Sequence, residues 1–168
     1  PSVIGNMTNL LKECGWKHIL VETVGSGQAE FRIAAVADTI LLVEAPGRGD
    51  SIQAEKAGII ELVDLIAVNK SDLPQAEAAA SDIEQALSAG SKDIPVMLVS
   101  AQTGDGVPEL VQKILETEGQ SMTRPKWREK LNSEWMRQLN SHPDLESILD
   151  GLEEGSFNLD EAINNLRR

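Results

Sequence analysis

The chain has 168 residues with 15 basic against 27 acidic side chains, a formal net charge of −12. An acidic surface of this kind repels nucleic-acid phosphate and anionic lipid, so neither is an expected partner. With 41% hydrophobic residues the length suits one domain with a real core, and no apolar run approaches the roughly 20 residues needed to cross a bilayer.

A single cysteine, Cys14, cannot close an internal disulfide, and no basic-then-apolar leader pattern opens the chain. Both favour a reducing cytoplasm. The first residue is Pro1 rather than Met, so an upstream segment is expected.

In chain order, Met7, Leu10, Leu11 and Cys14 recur at helical spacing, which predicts a helix over 6–14 stopped by Gly15, with Cys14 as a packing residue. His18 to Glu22 reads as a short buried strand, His18 being structural because no partner ligands lie at metal spacing. Thr39 to Val43 reads as a strand ending in the turn Pro46-Gly47-Arg48-Gly49, and Ile52 to Leu62 as a helix. A strand over Asp64 to Val68 ends at Asn69, and a helix follows over Ala76 to Ala89 with Ile83, Ala86 and Leu87 on one face. Pro95 to Val99 is another strand, and Val107 to Glu118 a helix that carries Pro108 in its tolerant first turn.

Continuous apolar strands alternating with helices imply a parallel sheet covered on both faces, an α/β fold. In such sheets ligands lie beyond the carboxyl ends of the strands. After Gly119 the character changes. A basic segment, Arg124-Pro125-Lys126-Trp127-Arg128, leads into helix without strands. Trp127, Leu131, Trp135 and Leu139 form one apolar stripe, continued by Leu145, Ile148, Leu149 and Leu152. Asn158 with Glu161 three residues on predicts a capping box. The division expected is 1–119 for the sheet domain and 120–168 for a helical arm, read either as an appendage packed on the sheet or as a dimerisation or docking surface.

Asn69-Lys70-Ser71-Asp72 stands directly after an apolar strand. Guanine presents two adjacent donors, its ring N–H and its exocyclic amine. A carboxylate offers two acceptors in a matching fork, so Asp72 can bind both. Asn69 can contact the base edge and brace neighbouring loops, and the Lys70 stem can lie along the flat base with its ammonium in water. Ser100-Ala101 follows the next strand, where the backbone N–H of Ala101 can donate to the guanine carbonyl. The two elements together, each at a strand end, point to guanine binding.

Glu22-Thr23-Val24-Gly25 follows the first predicted strand. An acid there holds Mg2+ through water and the glycine N–H meets a terminal phosphate in many GTPases. Ser26, next along, is too short to position the attacking water as a glutamine does, so slow intrinsic hydrolysis is expected.

The stretch Val21 to Glu30 resembles the E-T-V-G-x-G-Q-[SA]-E segment of the MeaB/ArgK family of GTPases, and Ala45 to Ile59 resembles that family's P-G-x-G-D-x-[LI]-Q-x-x-K-x-G-I loop. The family too has Glu at the Glu22 position, although it usually has Val where this chain has Ser26. The resemblance covers nearly the whole chain. It implies a P-loop GTPase fold, incomplete because no G-x-x-x-x-G-K-[ST] occurs and the first strand is missing, with a C-terminal helical extension.

It further implies GTP or GDP and Mg2+ as ligands, and a dimer through the C-terminal helices. The partner implied is an adenosylcobalamin-dependent mutase of the methylmalonyl-CoA mutase type, whose cofactor loading the protein gates and which it protects. By the same resemblance Glu22 and Gly25 are catalytic, with Glu22 the magnesium residue. Gln28, Asp50, Gln53 and Lys56 belong to switch or coupling segments, though from composition alone Asp50 reads as a helix cap and Gln28 as a solvated residue. Without a phosphate cradle, the 168-residue piece is expected to hydrolyse no GTP. The alternative is a non-catalytic interaction module on the same fold. A nickel-type metallochaperone is disfavoured by one cysteine and two scattered histidines.

Overall fold

The computed structural model describes residues 2–23, 32–47, 57–88, 93–117 and 123–167. Three strands, β1 (Leu41–Glu44), β2 (Leu65–Val68) and β3 (Val96–Leu98), form a parallel sheet in the order β1-β2-β3. The register pairs Leu41 with Leu65 and Ile66 with Val96, so the three carboxyl ends finish on one rim. β2 lies in the middle and all four of its residues are buried, which is why it reads as unbroken apolar sequence. The outer strands carry exposed apolar side chains, Val43 on β1 and Leu98 on β3.

The helices are α1 (Ser2–Glu13), α2 (Ala57–Ile60), α3 (Ala76–Ser88), α4 (Val107–Thr117), α5 (Arg124–Asn140), α6 (Leu145–Glu153) and α7 (Leu159–Asn165), with a 3-10 turn at Ile33–Ala35. The core joins Ile66 and Val68 of β2 to Ile59, Leu62, Val63, Ala80, Ile83, Ile40 and Ala34. Within α3 the buried positions are Ala76, Ala80 and Ile83, an i, i+4, i+7 stripe. Of the expected Ile83–Ala86–Leu87 face, Ile83 is buried and Leu87 packs half-buried against the core, while Ala86 is exposed because Ala80 takes that side of the stripe.

Gly15 stops α1 as anticipated. It adopts φ +91°, its N–H donates to Lys12 O (3.0 Å), and the Trp16 N–H donates to Leu11 O (3.1 Å), the paired bonds of a Schellman close. Cys14 is exposed rather than packed, because α1 turns Val3, Met7 and Leu10 as well toward solvent.

The expected strand over 18–22 does not form. These residues have no regular structure and Leu20 is 93% exposed. A strand exists only by pairing, and among the described residues no neighbour offers 18–22 a ladder. The helix expected over 52–62 is described only from Ala57, residues 52–56 lying outside the described set.

In the C-terminal region the capping box is present. Asn158 Oδ1 accepts from the Glu161 N–H (3.1 Å), while Glu161 Oε2 accepts from the Asn158 N–H (2.8 Å). Helix α5 packs on the 3-10 turn, yet its tryptophan stripe faces outward: Trp127, Leu131 and Trp135 are 54%, 67% and 67% exposed. What α5 buries instead is Lys126, 3% exposed, whose Nζ donates to Asp64 Oδ2 (2.5 Å) and to Asp38 O (3.3 Å). Asp64 Oδ2 also accepts the Ile40 N–H (2.9 Å). This polar bolt ties the arm to the amino ends of β1 and β2, opposite the rim.

Candidate functional site

The rim is built by chain segments leaving β2 and β3. As β2 ends, the Asn69 N–H donates to Glu44 O (2.8 Å), extending the β1–β2 ladder by one bond. The Ser71 N–H then donates to Val99 O (3.0 Å), tying the 69–72 segment to the end of β3. Between them Lys70 takes φ +63°. A non-glycine residue in the left-handed region is uncommon, and such strain gathers at ligand-contacting loops. Here the kink is held by the neighbouring side chain, since Asn69 Oδ1 accepts the Lys70 N–H (2.7 Å).

The same Asn69 Oδ1 accepts the Ala101 N–H at 3.0 Å, bridging the two loops. This modifies the expectation for Ala101, whose N–H was to be open to a base carbonyl. A ligand carbonyl reaches it only by sharing or displacing Asn69. The other end of the Asn69 amide, Nδ2, bonds no described residue.

Asp72 stands exposed at the open rim and does not turn into the core. One of its oxygens, Oδ1, accepts the hydroxyl of Ser100 at 2.6 Å. Ser100 is 0% exposed, so the base of the carboxylate is fixed by a buried donor while its outer lone pairs stay available. Asn69, Lys70, Asp72, Leu73, Ala101 and Gln102 line an open cleft of about 340 Å³. That lies within the range of small-molecule clefts, roughly 300–1,000 Å³.

The structure therefore brings together Asn69, Lys70, Asp72, Ser100 and Ala101. Glu22 is exposed and shares no hydrogen bond or ion pair with them among the described residues. Gly25, Gln28, Asp50, Gln53 and Lys56 lie outside the described residues. Among the described residues no three His, Cys, Asp or Glu side chains cluster as a metal site.

Leu73 and Gln102 join the cleft without having been anticipated. The contacts that Thr103, Asp105 and Gly106 make behind Ser100, outside the cleft, were not anticipated either. Two glycines around an aspartate, Gly104-Asp105-Gly106, signal a tight turn in the sequence, but not what it packs on.

A parallel sheet with N-K-S-D and S-A at the ends of adjacent strands defines part of an α/β protein of the P-loop GTPase type. The sequence model of one family, described as "Methylmalonyl Co-A mutase-associated GTPase MeaB", matches residues 3–149, and the chain belongs to that family.

Among relatives, a protein of Pyrococcus horikoshii named as a GTPase is 39% identical over 114 residues, 64% of this chain and 36% of that protein. The mouse protein named "Methylmalonic aciduria type A homolog, mitochondrial" is 34% identical over 116 residues, 64% of this chain and 28% of the relative. "GTPase ArgK" of Escherichia coli is 40% identical over 63 residues, 38% of this chain and 19% of the relative. The chain spans about a third of the length of the curated relatives it matches, 36% of the Pyrococcus protein. Among the described residues no helix is long and apolar enough to cross a membrane.

Proposed function

We propose that the rim reads guanine, and that the intact protein binds and hydrolyses GTP. The observation that carries this reading is the Asp72 carboxylate, held by buried Ser100 at 2.6 Å and open to the cleft. Its fork accepts the ring N–H and the exocyclic amine of guanine together. Asn69 Nδ2 donates to the ring nitrogen on the far edge, the base carbonyl shares the Ala101 N–H with Asn69 Oδ1, and the Lys70 stem covers one face of the ring. Adenine presents no such donor pair and would leave the carboxylate unmatched, a penalty of roughly 1–3 kcal/mol.

Phosphate contacts are assigned to Glu22 and Gly25, and Gln28 to a switch or coupling segment. Glu22 would serve Mg2+ through water, and the ion would supply charge neutralisation at the phosphates. Asp50, Gln53 and Lys56 are assigned to coupling with a partner. The family description and the mouse relative's name support the partner class, an adenosylcobalamin-dependent mutase of the methylmalonyl-CoA mutase type. Toward it the protein acts as a chaperone that gates cofactor loading and protects the enzyme, in the cytoplasm, as a homodimer through the helical arm (residues 120–168).

The deciding experiment is Asp72→Asn in the intact protein. Xanthine replaces guanine's amine by a carbonyl, which an asparagine amide can meet. GDP affinity should fall about tenfold or more and affinity for xanthosine diphosphate should rise, since charge-assisted hydrogen bonds are each worth roughly 1.5–3 kcal/mol. Unchanged GDP binding, or a wild-type preference for ATP over GTP, defeats the reading. The mutase half is tested separately by GTP turnover with and without methylmalonyl-CoA mutase; equal rates and no complex would remove it.

A second reading, a non-catalytic docking module, is favoured by the outward stripe of Trp127, Leu131 and Trp135 on α5. It predicts partner binding that is indifferent to nucleotide.

A further inference from the structure

We infer that Thr103, Asp105 and Gly106 are positioning residues for base selectivity, acting through Ser100 on Asp72. This rests on the reading of the rim as a guanine site. Ser100 has one hydroxyl proton, and it is committed to Asp72 Oδ1 at 2.6 Å. The hydroxyl oxygen is held from behind, because it accepts the Thr103 N–H at 3.2 Å. Asp72 is thus aimed by a two-bond relay whose far end is the backbone of Thr103.

That backbone is fixed in turn by a closed loop. The Gly104 N–H donates to Ser100 O (2.8 Å) and the Ser100 N–H to Asp105 O (2.9 Å), so residues 100–105 fold back on their own start. Thr103 Oγ1 donates to Asp105 Oδ2 (2.7 Å) and accepts the Asp105 N–H (3.3 Å), a staple across the turn.

Gly106 lets the loop sit where it does. It adopts φ +71°, and a Cβ there would overlap the carbonyl oxygen of Leu98 at the end of β3. A backbone carbonyl in a sheet cannot yield as a flexible side chain can. A side chain at 106 must therefore lift the loop from the strand, carrying Thr103 and Ser100 with it. The carboxylate of Asp72 then loses its aim while remaining present and exposed. None of these three residues lines the cleft, so their effect on a ligand passes through Ser100.

The distinguishing probe is inosine diphosphate, which keeps the ring N–H and carbonyl of GDP but lacks the exocyclic amine. A well-aimed Asp72 makes two bonds to GDP and one to inosine diphosphate. Misalignment therefore lowers GDP affinity more, and the ratio of the two affinities contracts.

In the intact protein, Gly106→Ala and Thr103→Val are each measured by calorimetry with both nucleotides, beside Asp72→Asn with xanthosine diphosphate. The expected result is a ratio reduced by about tenfold in Gly106→Ala, one hydrogen bond's worth, and by a smaller factor in Thr103→Val. If Gly106→Ala does not fold, Thr103→Val alone decides. A ratio unchanged in folded variants overturns the inference, even if both affinities drop together, since a merely structural loop would do that. If Asp72→Asn also fails to gain xanthine binding, the guanine reading itself has failed; if it gains it, only the relay has.

Discussion

Replacing Lys126 by methionine keeps the aliphatic stem and removes the ammonium from the bolt between the helical arm and the sheet. The side chains of Lys126 and Asp64 are 4% and 10% exposed, so water cannot substitute for the lost partner. The variant forfeits the bonds to Asp64 Oδ2 and Asp38 O and takes the lysine's charge away from a buried carboxylate. Breaking a buried pair in this way costs about 3–5 kcal/mol, against about 0–1 kcal/mol for an exposed one.

Urea unfolding of the intact protein, followed by the fluorescence of the arm's tryptophans, is the assay. With a slope of roughly 1–3 kcal/mol per molar, the midpoint should fall by about 1 M or more. The double variant Lys126→Met with Asp64→Asn provides the control. An asparagine oxygen still accepts the Ile40 N–H, and both charges of the buried pair are then removed, so the double variant should be more stable than the single. A single variant within about 1 kcal/mol of wild type would show that the pair behaves as an exposed one, and the burial argument would be wrong.

Three further outcomes are expected. Gly151 of α6 lies against the ring of Phe157, so Gly151→Ala should loosen the α6–α7 packing by about 1–3 kcal/mol, read as earlier exchange of α7 amides; unchanged exchange would contradict it. Asn158→Ala removes one half of the α7 capping box and should cost about 1 kcal/mol in thermal unfolding, while Asn158→Asp should retain most of it.

The Glu134 carboxyl is lowered from its usual 4.5 to about 2 by hydrogen bonds from Arg137 and Gln138. A folded-state value below the unfolded one means that its contribution to α5 is present above about pH 4.5 and lost as pH falls toward 2. NMR titration checks this directly, and a midpoint at the ordinary carboxylate position would refute the pairing.

Much of the fold was legible because it is written in local chemistry. The helix over Ala76–Ser88, its neighbour over Val107–Thr117, the Gly15 stop and the Asn158–Glu161 cap each depend on residues within a turn or two of one another. β2 announced itself as a buried parallel strand because covering both faces demands four apolar residues in a row. The residues proposed for base recognition were visible for a similar reason: Asn69 and Asp72 lie three apart, immediately after that strand.

What depends on distant pairing was not legible. His18 to Glu22 has strand composition but no ladder among the described residues, and composition cannot supply a neighbour. Lys126, one of five residues in a basic, surface-like segment, meets Asp64 62 positions away and is buried by it. The tryptophan stripe of α5 has core-like periodicity yet faces solvent, since periodicity defines a face without saying what covers it.

By itself, then, the sequence determined which segments are helix, which are strand at the centre of the sheet, and which side chains stand at the strand ends, because period, caps and turns are short-range constraints. Only the tertiary structure decided that Ser100 holds Asp72 across 28 positions and that Asn69 takes the Ala101 N–H across 32. Hydrogen bonds between loops require two strand ends to arrive side by side, and that adjacency arises only when the sheet has assembled.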